Sequence, residues 1–359
     1  MSESSDFRPG LEGVIAFETE IAEPDRDGGA LRYRGIDIEE LVGNYPFENV
    51  WGLLVDEDVT RPLPPSENIE LQDPSGSVPA DLQAALATLG PKFGMRKLVD
   101  IDDKQARDDL AKLSAATLSI VAQAARGTQT PVPQSEIEKG ENAAAQFLIR
   151  WRGEADPKQV TALDTYWISA AEHGLNASTF TARIAASTGA DCAAAMSSAV
   201  GTLSGPLHGG APARVLPMIE GAEHADDLHK YVTDMLDRGE RIMGFGHRVY
   251  RAYDPRATVL RRTARELGSP RVEVAAALEE VVLEVLRERS PDRQLETNVE
   301  YWAAVVLDYA QIPGDLTPAM FGCARVAGWS AHILEQKRTG RLIRPSARYV
   351  GPPAHALAG

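Results

Sequence analysis

The stretch DKQARDDLAKLSAATLSIVAQAARG, residues 103–127, decides the fold class. Ala106, Leu110 and Leu113 recur at helical spacing, and alanine fills much of what surrounds them. No glycine or proline interrupts the run before Gly127, and Pro131 and Pro133 lie just beyond. Such a pattern predicts one long amphipathic helix over 103–126. Toward the C-terminus the same periodicity predicts helices over about 135–152, 159–187, 189–203, 272–288, 297–310 and 317–338. Pro212 suits the first turn of a helix through Ala213–Glu220. Asp254 reads as an N-cap, Pro255 as the first helical position and Gly268 as the stop. Toward the N-terminus, residues 60–80 read as a loop rich in proline and serine, Phe47–Leu54 as a helix, and Asp37 as the cap of a helix through Ile38 and Leu41. Residues 13–17 and 31–34 flank the turn-rich 25–29 and predict a small β feature. The expected fold is mostly α, with a minor β element near the N-terminus.

The chain has 359 residues, enough for two domains, and an ordinary globular composition with 43% hydrophobic and 25% charged residues. Aromatic residues are few, 6%, which favours closely packed helices. A net charge of −15 speaks against nucleic acid and anionic membranes as partners. No apolar run is long enough to span a bilayer, and the first residues carry no export signal, so a cytoplasmic protein is expected. Cys192 and Cys323 lack metal or redox spacing and are expected to be reduced core thiols.

Three of the seven histidines sit among glycine, asparagine or arginine: Glu172-His173-Gly174-Leu175-Asn176-Ala177-Ser178, Gly205-Pro206-Leu207-His208-Gly209-Gly210 and Gly244-Phe245-Gly246-His247-Arg248-Val249-Tyr250. Each alone reads as a structural or core histidine. Together they predict a polar site for proton handling, because imidazole gives or takes a proton near neutral pH. Their spacing does not suit zinc. From Arg248 to Arg265 there are six arginines (248, 251, 256, 261, 262 and 265) against the single acid Asp254. That island predicts an anionic ligand, or else a solvated helix face. No phosphate-binding loop of the nucleotide-hydrolase type is present.

These motifs, with Leu31-Arg32-Tyr33-Arg34-Gly35, Asp254-Pro255-Arg256, Arg344-Pro345 and Tyr349-Val350-Gly351-Pro352, occur in an order and spacing that resembles citrate synthase of the short bacterial kind. The resemblance implies a two-domain α-helical homodimer. A large domain would comprise 1–210 and 313–359, a smaller mobile one 211–312, with hinges near 209–210 and 311–315. It implies condensation of acetyl-CoA with oxaloacetate, hydrolysis of citryl-CoA, and no cofactor besides acetyl-CoA as co-substrate. It further implies that His208 donates a hydrogen bond to the enolate oxygen and that His247 acts on the ketone of oxaloacetate. His173, Arg256, Arg325 and Arg344 would hold the oxaloacetate, Arg344 from across the interface. Arg251 and Gly244, Phe245 and Gly246 would meet coenzyme A. The short length implies no inhibition through the extra N-terminal domain of larger relatives. Pro212 after His208 places helix amides near the imidazole, which is expected to keep it neutral, as with the electrophilic histidine of triosephosphate isomerase.

One position departs from the family. Its base is an aspartate in an Asn-Val-Asp context, whereas this chain has Asn298-Val299-Glu300. Glu300 is expected to be the base, on an arm one methylene longer. Thr297-x-x-Glu300 also reads as a capping box, in which Glu300 would only serve its own helix, as in a non-catalytic binding protein on this fold. Trp302, Ala303 and Ala304 are unusual beside it and are expected to alter the wall near the acyl group. The sister activity, 2-methylcitrate synthesis from propionyl-CoA, stays open, because one methylene in an apolar pocket is worth only about 1–3 kcal/mol.

Overall fold

A computed structural model describes residues 7–353 apart from 26, 28, 70, 72, 73, 207, 210, 211, 247–252 and 292–294. Three short antiparallel strands come first: β1 (Ala22–Asp25), β2 (Ala30–Tyr33) and β3 (Ile36–Asp37), in that order across the sheet. Ala22 faces Tyr33 and Asp25 faces Ala30. The expected strand at 13–17 does not form. That segment joins no sheet, Gly13 lies in a turn at φ +73°, and Ile15 is 88% exposed. β1 lies downstream because the turn after Asp25 sets the register, and an edge strand tolerates Pro24.

Helices follow: α1 (Ile38–Leu41), α2 (Phe47–Asp56), α3 (Val78–Lys92), α4 (Asp103–Arg126), α5 (Gln134–Ile137), α6 (Ala143–Arg152), α7 (Pro157–Ala170), α8 (Ala177–Ser187), α9 (Cys192–Leu203), α10 (Pro212–Glu223), α11 (Leu228–Asp237), α12 (Pro255–Leu267), α13 (Val272–Arg289), α14 (Val299–Tyr309) and α15 (Thr317–Thr339). The caps explain most of the starts. Asp37, Asp102, Asn142, Asp156, Asn176, Asp191, Asp227, Asp254 and Asn298 each accept a backbone N–H in the first turn. Each such cap contributes about 1 kcal/mol. Two helices go beyond expectation. In α3, Leu82, Leu86 and Leu89 face inward, and in α11, Val232 and Met235.

The expected helix over 159–187 is instead two. Asn176 caps α8 by accepting from Thr179 N–H at 3.1 Å. Tyr33 Oη donates to Ile168 O at 2.9 Å and accepts from Glu172 N–H at 3.2 Å, which finishes α7 from the sheet side. The intervening residues 171–176 carry His173, so it projects from a break and not from a helix.

α15 is the central element. It packs against α2, α4, α7, α8 and α9, and is buried on nearly all sides, as expected of a core helix. Phe321, Arg325, Trp329, His332 and Gln336 follow one another at four- and three-residue steps and share one face. α12 and α14 pack on each other and on α7, while α13 packs on α10 and α11. Among the described residues no helix is long and apolar enough to cross a membrane.

Candidate active site

The 171–176 break, the loop bearing His208 and the start of α12 meet at Arg325, while the start of α14 joins through Asp254 and the start of α8 through His208. Arg325 is buried, and its Nε donates to Ala170 O at 2.7 Å. Its Nη1 has no hydrogen-bond partner among the described residues. Burial lowers the guanidinium's pKa, and Arg256 lowers it further, while Glu172 acts the other way. A buried cation with an unmet donor is costly unless an anion satisfies it.

Arg256 is buried in a two-point pair with Asp254: Nε to Oδ1 at 2.9 Å and Nη2 to Oδ2 at 2.7 Å. Asp254 Oδ1 also caps α12 through Arg256 N–H at 3.1 Å, and Oδ2 accepts from Val299 N–H at 2.9 Å. One carboxylate therefore ties the starts of α12 and α14 together and sets Arg256 beside Glu300.

Glu300 occupies the first turn of α14. The cap is Asn298, whose Oδ1 accepts Glu300 N–H at 2.9 Å, while the buried Thr297 Oγ1 has no partner among the described residues. The capping-box reading is thus corrected: the helix is already capped one residue later, and the Glu300 carboxylate makes no hydrogen bond to a described residue. Burial pushes its pKa up to about 7, with Arg256 pulling down and Asp254 pushing up.

His208 is largely buried, and its pKa is lowered to about 4, first by burial and second by the charge of Arg325. The imidazole is neutral at physiological pH, and a backbone amide at the start of α8 faces the ring. Ser178 N–H lies 3.4 Å from Nε2, and Ser178 Oγ lies at 2.9 Å. A backbone N–H can only donate, so Nε2 accepts and the ring carries its hydrogen on Nδ1. Ser178 Oγ accepts from Trp329 Nε1–H at 3.2 Å, and Asn176 Oδ1 at 2.8 Å competes with Nε2 for its single hydroxyl hydrogen. Phe321 stands edge-on to the imidazole with centroids 5.8 Å apart, and Arg325 lies over the Phe321 ring at 4.6 Å.

His173 is buried, and its N–H donates to the carboxylate of Glu172 at 2.8 Å. His247 and Arg251 lie outside the described residues. Gly244, Phe245 and Gly246 are strapped to the start of α14: Gly244 O accepts from Asn298 N–H at 2.9 Å, Gly246 N–H donates to Glu296 O at 2.7 Å, and Asn298 Nδ2 donates to Gly246 O at 2.9 Å. A Cβ on Gly244 would stand 2.9 Å from Tyr301 Cβ, and its φ of +89° is one that side chains resist. These bonds leave the Phe245 backbone pointing outward. Arg344 is exposed in the tail. Its neighbour Ile343 is tied to Ser187, at the end of α8 away from Ser178, about 14 Å along the helix. Within one chain Arg344 therefore does not join the cluster.

Two further expectations are revised. Among the described residues the arginine island is not one patch: Arg256 pairs with Asp254, Arg261 with Glu279 at 3.1 Å and Arg262 with Glu39 at 3.1 Å, because successive helix positions face different neighbours. Trp302 does not face the site either. It lies about 200° around α14 from Glu300, and its Nε1 donates to Glu279 Oε1 on α13 at 3.0 Å. Ala304, one turn beyond Glu300, shares that face instead. Ser178, Phe321 and Trp329, which support His208 and Arg325, are residues that sequence reasoning missed. The four-residue spacing of Phe321, Arg325 and Trp329 is the signal that could have found the last two. No group of three His, Cys, Asp or Glu residues among the described residues is arranged to hold a metal.

Residues 10–346 match the family described as "Citrate synthase, C-terminal domain". The chain is 61% identical over 348 residues to "Putative citrate synthase 2" of Mycobacterium tuberculosis, covering 96% of this chain and 93% of that one. It is 32% identical over 361 residues to the 2-methylcitrate synthase of Shewanella oneidensis, covering 95% and 94%. Its fold matches the ternary complex of Thermoplasma acidophilum citrate synthase with carboxymethyl coenzyme A and oxaloacetate, with a TM-score of 0.83 at 26% identity, covering 99% and 98%.

Proposed function

We propose, from the premise that this chain belongs to the citrate synthase family, that it condenses acetyl-CoA with oxaloacetate and hydrolyses the citryl-CoA formed. The chain is an acyltransferase of the citrate synthase type, and the choice of acyl group is the part proposed. In this reading the Glu300 carboxylate takes a methyl proton from the thioester while His208 Nδ1–H donates to the thioester oxygen as it becomes an enolate. The methyl carbon then bonds to the ketone carbon of oxaloacetate, with His247 protonating the ketone oxygen. Water attacks the citryl thioester, and the coenzyme thiol leaves. His173, Arg256 and Arg325 hold the oxaloacetate carboxylates, joined by Arg344 of a second copy of the chain. Arg251 and the outward backbone of Phe245 meet coenzyme A.

The observation that carries this reading is the pairing of opposite shifts in one cluster. A carboxyl raised to about 7 and an imidazole lowered to about 4 stand beside two buried arginines. Environments that drive acid and base apart mark the proton-transfer groups of an active site. Purified protein is expected to release free thiol from acetyl-CoA only after oxaloacetate is added. A flat trace with both substrates present counts against the assignment. Propionyl-CoA is the second reading, favoured by the likeness to a 2-methylcitrate synthase. Thiol release from both thioesters at matched concentration decides between them by their kcat/KM ratio.

The division into 1–210 with 313–359 and 211–312, the homodimer and a cytoplasmic setting belong to the same proposal. Contacts that domain opening would break include Arg262 to Glu39 and Lys158 Nζ to Leu267 O at 3.4 Å. Oxaloacetate is expected to compact the protein in solution scattering, and identical profiles with and without it argue against closure.

A further inference from the structure

We propose that Glu172, backed by His332 and Arg183, is a positioning residue that orients His173 and balances the charge of Arg325 for oxaloacetate binding. The inference rests on the function proposed above. Glu172, His332 and Arg183 are buried, and no step of the reaction uses them. Glu172 Oε1 accepts His173 N–H at 2.8 Å and faces His332 Nε2 at 3.4 Å. His332 Nδ1 lies 3.0 Å from Arg183 Nη1. A guanidinium has no lone pair to offer, so Nδ1 accepts and the ring hydrogen sits on Nε2, toward Glu172. Arg183 is held in turn by Gln336 Oε1 at 3.0 Å and by Glu335, and it lies 3.6 Å over the ring of Phe17. Glu335 reaches the N-terminal segment, accepting from Thr19 Oγ1 at 3.2 Å and Glu20 N–H at 3.1 Å. The row runs from the site to the surface, with the tautomer of its imidazole set from the arginine end.

Two consequences meet at Glu172. Its carboxylate fixes the backbone of His173 within a break that has no helix to hold it. Its charge also acts on Arg325, against the repulsion of Arg256. Without that charge, the repulsion between the buried Arg256 and Arg325 would be less opposed. The close approach needs Gly328 on α15. A Cβ there would stand 2.0 Å from Glu172 Oε2 and 2.7 Å from Ala171 O.

Glu172→Gln keeps the size and the acceptor oxygen but removes the charge, and Glu172→Asp keeps the charge. Calorimetric titration of oxaloacetate and steady-state kinetics are run on the full chain. Glu172→Gln is expected to weaken oxaloacetate about tenfold or more, with the KM for acetyl-CoA moving less than about twofold and Glu172→Asp recovering part of the loss. Gly328→Ala is expected to reproduce the oxaloacetate defect without touching a charge. Equal oxaloacetate affinity in wild type and Glu172→Gln overturns the inference while leaving the function intact. So does a parallel rise of both constants accompanied by a fall in melting temperature. A wild-type protein that binds no oxaloacetate sinks the function and the inference together.

Discussion

Glu300→Gln is expected to lower kcat about a thousandfold or more while oxaloacetate still binds, because the amide cannot take a proton from the thioester methyl group. The substitution is nearly isosteric. Asn298 caps α14 through its own side chain, so the helix start does not depend on the charge of residue 300. Loss of rate with retained binding and retained helicity therefore isolates the proton-transfer role. A Glu300→Gln enzyme with a near-normal rate sinks Glu300 as the base. With the carboxyl at about 7, the wild-type rate is expected to rise with pH through that value, since only the ionised form is a base. Glu300→Asp probes the arm length. If the site is adapted to glutamate, a displacement of about 1 Å costs on the order of 100-fold; a faster aspartate variant means that it is not.

His208→Ala is expected to cut kcat by about 100- to 1000-fold, the usual result of removing one preorganised donor to a developing oxyanion. Because His208 protonates only near pH 4, it contributes no limb to the pH–rate profile above about pH 5. The rising limb near 7 should persist in His208→Ala and vanish in Glu300→Gln. If the limb moves with His208 instead, the two assignments are reversed.

The same two groups give opposite stability slopes. Glu300 is harder to ionise in the folded chain, so the native state holds more protons than the unfolded one between about 4.5 and about 7, and stability falls with rising pH across that window. His208 is harder to protonate when folded, so between about 4 and about 6.5 stability rises with pH and is lost as pH falls. Each contribution is on the order of 3 kcal/mol, and the two nearly cancel where the windows overlap. Relative to wild type, Glu300→Gln should gain stability as pH rises through 4.5–7, and removing His208 should gain stability as pH falls through 6.5–4. Denaturant titrations at pH 4.5 and 7.5 measure both. Slopes of the same sign in the two variants would show that burial does not drive the two groups apart.

Much of the helical layout was legible because its determinants are local. Asp254, Pro255 and Gly268 bound α12 where a cap, a fixed φ and a left-handed stop require it, and the 103–126 run became α4 without a shift. The failures came where a distant contact overrode local preference. Residues 159–187 read as one helix because nothing in that window announces that Tyr33, from a strand more than a hundred residues earlier, takes up the end of α7. Residues 13–17 read as a strand because alternation cannot reveal that no partner strand lies beside them. At the site, the histidine, arginine and carboxylate candidates were visible from type and context, but their supports were not. Ser178 and Trp329 look like ordinary helix residues until α8 and α15 are packed together.

The amino-acid sequence by itself determined that this is an α-helical chain with a short β start, that it belongs among citrate synthases, and that Glu300 follows Asn298-Val299 where the resemblance implies an aspartate. Only the tertiary structure decided that Asn298 and not Thr297 caps α14, that Trp302 turns away from the site, and that Glu172 stands behind His173. It also decided the charge states, because desolvation and the fields of Arg325 and Arg256 act through space. Elements far apart in the chain must come together before a carboxyl and an imidazole can be driven in opposite directions.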